Sequence, residues 1–132
     1  MNPATVCTAI TQTLGTIDGV HLYDYADDSP NAPSFMVIPR LISDMSLGIL
    51  STATFTILGL AASTATKDGH NRICGWLADD GPQSVRAAIE ADNTFGGTVS
   101  SARVVEASYE PAVVLPDGRR YFGSRWTIEV FE

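Results

Sequence analysis

The chain has 132 residues, 45% of them hydrophobic and 17% charged, with 8 basic against 15 acidic side chains and a net charge of −7. That length suits a single domain, 1–132, and that composition argues for a packed core and against a disordered chain. The acidity argues against a surface that gains affinity by neutralising phosphates, so neither nucleic-acid nor anionic-membrane binding is expected, and no apolar run approaches the roughly 20 residues of a membrane span.

A first helix is expected from Pro3, with Asn2 as its N-cap and Val6, Ile10 and Leu14 recurring on one face. Gly15 should end it by taking a left-handed conformation, with Ile17 folding back on the last turn. Val20–Tyr25 alternates as a short strand, and Ala26–Pro33 concentrates turn formers and prolines into a surface loop. Ser34–Ile38 reads as a second strand, which Pro39 either ends or places where no ladder donor is needed. Leu41–Leu50 follows no period. Thr52–Leu60 is rich in β-branched residues and reads as a third strand.

Asp68 or Asn71 is the expected cap of a second helix with Ile73, Trp76 and Leu77 inward. Pro82 is the expected first residue of a third, with Val85, Ala88 and Ile89 inward. Asn93–Gly97 is a turn with paired glycines. From Val99 to Tyr109 the chain reads as one long strand in unbroken alternation, and Pro116-Asp117-Gly118 turns it into a last strand, Tyr121–Glu132, with Phe122, Trp126, Ile128 and Val130 facing the core. The order of elements implies an α+β fold, a mainly antiparallel sheet with about three helices on one face.

Little in this pattern does chemistry. Cys7 and Cys74 show no zinc-like spacing and read as reduced, packed thiols, Cys74 not as a nucleophile because no histidine is expected near it. His70, beside Gly69 near a helix start, reads as solvated, and His21 as a surface or interface residue. Asp27-Asp28 and Asp79-Asp80 lack the spacing of a calcium loop and read as solvated turns. No glycine pattern forms a phosphate cradle. The residues therefore predict a non-enzyme, with no catalytic residue, metal or cofactor.

Three stretches in sequence carry a resemblance: Thr16-Ile17-Asp18-Gly19-Val20-His21-Leu22-Tyr23-Asp24-Tyr25, then Asp28-Ser29-Pro30-Asn31-Ala32-Pro33, then Ser84–Asp92 before Gly96-Gly97-Thr98-Val99. Together with Tyr121-Phe122-Gly123 entering a strand, they resemble the tail terminator group of long-tailed, siphovirus-type actinobacterial phages. The resemblance implies a virion protein assembled in the host cytoplasm. In that group the subunits form a hexameric ring that caps the head-proximal end of the tail tube, stops tube polymerisation and offers a docking surface to the head-completion or connector protein. DNA passes through such a ring without specific binding, and an acidic subunit suits that passage.

Leu41, Ile42, Met45, Leu47, Ile49 and Leu50 put six apolar side chains into ten residues with no element to bury them, which makes this segment a candidate subunit interface. Its rival is a loop folded over its own core. Asp27, Asp28, Arg119, Arg120 and Arg125 are the candidate charged groups of the same interface, the arginines flanking the final turn. Two alternatives stand beside the tail terminator: a neighbouring head–tail completion or minor tail protein, and a monomeric small-molecule-binding or enzyme domain.

Overall fold

The computed structural model describes residues 2–27, 30–43, 52–64, 66–116 and 118–132, of which 41–43 are described by their backbone alone. Eight elements follow in order: α1 (Pro3–Leu14), β1 (His21–Tyr23), β2 (Ser34–Ser43), β3 (Thr52–Ala62), α2 (Lys67–Leu77), α3 (Val85–Ala91), β4 (Ser101–Val114) and β5 (Arg120–Phe131). The five strands form one sheet in the order β1-β2-β3-β5-β4, antiparallel except where β1 runs parallel to β2. This is the α+β architecture with three helices that the element order implied.

Asn2 caps α1, its side-chain oxygen accepting from the N–H groups of Ala4 at 3.0 Å and Thr5 at 3.5 Å, while Pro3 occupies a position whose missing donor would have had no helical partner. Gly15 differs from expectation. It keeps right-handed helical geometry at φ −62° and donates to the carbonyl of Gln12, and the chain turns because the N–H of Ile17 reaches back to Leu14 at 3.0 Å.

Both later helices start away from the expected caps. Thr66 caps α2, its hydroxyl accepting from the N–H of Gly69 at 3.0 Å, so the helix begins before Asp68 and Asn71 and holds both inside it. Asp68 thereby sits in the first turn, where its charge complements the helix dipole. For α3 the cap is Ser84, which accepts from the N–H of Ala87 at 3.0 Å and donates to the carbonyl of Ala78 at 2.6 Å. Gly81 at φ +103° turns the chain first, which leaves Pro82 in the turn ahead of the helix.

The three helices bury Val6, Ile10, Leu14, Ile73, Trp76, Val85 and Ile89 against Phe35, Val37, Phe55, Ile57, Trp126, Ile128 and Val130 of the sheet. At its centre Phe35 packs on Trp76 with ring centroids 4.6 Å apart and on Trp126 at 5.8 Å. Such close packing leaves room only for glycine at position 59. A Cβ there would lie 2.9 Å from Trp126 Cζ3, 3.0 Å from Ser124 Oγ and 3.1 Å from Phe35 Cε1.

The face away from the helices is divided. At one end Met36, Leu58, Leu60, Val113, Leu115 and Tyr121 form a second buried cluster, with Tyr23 and Ala32 packed against it. At the other end half-buried threonines alternate with the core side chains of β3, and Arg103 bonds Glu129 across the β4–β5 ladder at 3.0 Å.

Two irregularities correct the strand readings. Pro39 does not end β2: the register shifts between Pro39 and Leu41, and the ladder with β3 continues to Ser43. In β4 the alternation breaks at Val105, an extra residue between Val104, opposite Ile128, and Glu106, opposite Thr127. That bulge resets the phase, so that Ala102 and Val104 but then Ala107 and Tyr109 share the helix side.

Candidate assembly interface

A sheet whose outer strands lack partners presents rows of backbone donors and acceptors. Here the two outer edges are unlike. β4 is long, 14 residues, paired along one side with β5 and along the other with no described strand. At the opposite edge β1 has only three residues, which cover Ser34–Met36, so among the described residues β2 has no outer neighbour from Val37 to Ser43.

Apolar exposure concentrates at these same edges. The large exposed apolar side chains among the described residues are Val105 (47%), Tyr109 (37%) and Val114 (61%) on β4, and Tyr25 (56%) two positions beyond β1. β4 also carries features that blunt an edge: the bulge at Val105, the second shift between Glu110 and Val113 that contains Pro111, and the charges of Arg103 and Glu106. Between the two bulges Glu106–Glu110 keeps regular register with β5, a five-residue stretch open to a further strand.

The expected interface residues are only partly brought together. Met45, Leu47, Ile49 and Leu50 lie outside the described residues, as does Asp28. Leu41 and Ile42 are not in a loop: they extend β2, paired with Thr54 and Ala53. Asp27 accepts a hydrogen bond from the hydroxyl of Tyr25 at 2.9 Å, which raises the pKa of that phenol and keeps it protonated as the donor.

Arg119 and Arg120 line an open cleft of about 500 Å³ together with Pro30, Asn31, Ala32 and Tyr121, so the arginine turn and the loop that follows the aspartates meet at one end of the sheet. Arg125 does not join them. It stands on β5 between Leu58 and Ser108, exposed on the face away from the helices, because five residues of strand separate it from the turn. His21, on the β1 edge, is exposed as a surface or interface residue would be.

The cysteines separate. Cys7 is 1% exposed on the buried side of α1, and burial, helped by the charge of Asp24, pushes its thiol up to about 11. Cys74 corrects the expectation of a packed thiol, since it is exposed on the outer side of α2. Its Sγ lies 3.5 Å from His70 Nε2, and His70 Nδ1 lies 3.2 Å from the Tyr109 hydroxyl. The i, i+4 spacing of His70 and Cys74 is the signal that would have revealed the first contact; the second needs β4 to pass α2 and has no local signal.

Comparison with protein-family models and with curated proteins finds no match to this chain.

Proposed function

We propose that this chain is the ring-forming terminator subunit of a long phage tail, seated on the head-proximal end of the tail tube and meeting the head-completion protein on its other side. The observation that carries the reading is the pair of unlike open sheet edges, with every large exposed apolar side chain of the described residues on or beside them. An interface between two different edges is heterologous, and heterologous contacts repeated by rotation close into a ring. The resemblance of the motif order to that of tail terminators supports the identity of that ring. A six-membered ring of 14.1 kDa subunits has a mass of about 85 kDa. The net charge of −7 suits a channel that DNA crosses without adhering.

The test is to add the protein to tubes assembled from the cognate tail tube protein and image their ends by electron microscopy. Wild type should cap one end of each tube with a single ring. Val105→Lys and Val114→Lys, on the β4 edge, should stay folded yet leave the ends bare. Wild type that never decorates tube ends sinks the tail assignment, and capping by both variants sinks the role of the β4 edge.

A further inference from the structure

Three side chains from two elements meet on the outer surface of α2: Cys74 and His70 lie off the sheet edges that the ring reading uses, and Tyr109 joins them from β4. Cys74 and His70 are one helical turn apart, with Sγ 3.5 Å from Nε2, while Tyr109 reaches across from β4 to place its hydroxyl 3.2 Å from Nδ1. The rings of His70 and Tyr109 lie 5.7 Å apart between centroids and are tilted by 49°, a second contact between the two side chains. All three residues are exposed, and the His70–Tyr109 pair also walls a cavity of about 350 Å³ with Thr66, Lys67 and Phe122. A nucleophile, a base and a group that orients the base thus stand in hydrogen-bonding order, and of the three the base and its orienting group border the cavity.

We propose that Cys74 is an activated thiol and a site of covalent modification by small organic disulfides, with His70 as the base and Tyr109 as its positioning residue. In the neutral pair Nδ1–H donates to the Tyr109 oxygen, which leaves the Nε2 lone pair to accept the thiol proton. As Sγ attacks one sulfur of the disulfide, that proton passes to Nε2, a new S–S bond forms, and the reagent's own S–S bond breaks. The departing thiolate takes the proton from the imidazolium. One protein thiol is thereby oxidised to a mixed disulfide and one reagent sulfur is reduced to a thiol. Tyr109 accepts from Nδ1 throughout, and that contact keeps Nε2 turned toward Sγ. Cys7, 1% exposed, stays silent.

The experiment follows release of thiopyridone from 2,2′-dithiodipyridine by the isolated protein at neutral pH. One thiol should react rapidly, and Cys74→Ser should abolish that phase. His70→Ala should slow it by about tenfold, below the range for a base with ideal geometry because the contact is long and wet. Free imidazole should restore the rate. Tyr109→Phe should slow wild type without changing the melting temperature, and should have no further effect in the His70→Ala background. Circular dichroism checks that each variant is folded, as expected of exposed positions. An unchanged rate in His70→Ala, or a loss that imidazole leaves unrepaired, overturns the role of His70 and with it the proposal. Equal slowing by Tyr109→Phe in both backgrounds overturns the positioning role.

Discussion

Gly59 and Trp126 lie on adjacent strands, and the space that one lacks is the space that the other fills. Trp126 is 1% exposed, and an indole of this kind buries 150–250 Å². At about 25 cal/mol per Å² that burial is worth roughly 4–6 kcal/mol, and after partial collapse of the site Trp126→Ala should cost about 3–5 kcal/mol. Gly59→Ala puts a methyl group against three walls, at 2.9 Å from Trp126, 3.0 Å from Ser124 and 3.1 Å from Phe35. Overpacking of that degree costs about 1–3 kcal/mol.

In the double variant the nearest wall is gone and the methyl group enters the vacated space. Gly59→Ala should then cost at least about 1 kcal/mol less than it does alone, a coupling typical of residues in contact. The lower entropy of alanine in the unfolded chain is common to both backgrounds and cancels. Urea unfolding followed by far-ultraviolet circular dichroism reads all four corners of the cycle, with Thr127→Ala as the control. Thr127 is half-buried on the opposite face and should cost well under 1 kcal/mol. Additive costs would refute the packing of Gly59 on Trp126, and a Thr127→Ala cost above that of Trp126→Ala would refute the register of β5.

Two further outcomes are expected. Thr66→Ala removes the acceptor for the N–H of Gly69 and should destabilise the fold by about 1 kcal/mol, while Asn71→Ala, within α2, should change the thermal midpoint little. Cys7 carries a pH dependence whose sign follows from its raised pKa: the unfolded thiol loses its proton from about 9 and the folded one only at about 11. The folded state therefore binds more protons in that window, and stability falls as pH rises through it, by about 2–3 kcal/mol in all. Cys7→Ala removes this contribution. The stability gap between wild type and that variant should thus narrow from pH 9 to pH 11, and a gap that is constant with pH would mean that the thiol is not desolvated.

Where one element's own residues decide its form, the sequence was legible. Asn2 and Pro3 start α1 by local hydrogen bonding and a fixed φ, and β5 alternates Trp126, Ile128 and Val130 against Arg125, Thr127 and Glu129 because one face meets helices and the other does not. Caps were less legible, since Thr66 competes with Asp68 and Asn71 within a few residues, and only the hydroxyl's distance to the N–H of Gly69 decides. Bulges left no signal, because the extra residue at Val105 is defined by its partners on β5.

The candidate interface divides in the same way. Composition showed an acidic chain, and the order of motifs gave the resemblance on which the proposed function rests. Which apolar residues are uncovered depends on which strand lies outermost, a property of strand order that no segment encodes alone. Val105, Tyr109 and Val114 are exposed because β4 ends the sheet; beside a sixth strand the same residues would be covered. The meeting of Tyr109 with His70 and Cys74 has the same cause. The i, i+4 pair was written in the helix, and only the passage of β4 alongside α2 added the hydroxyl that completes it.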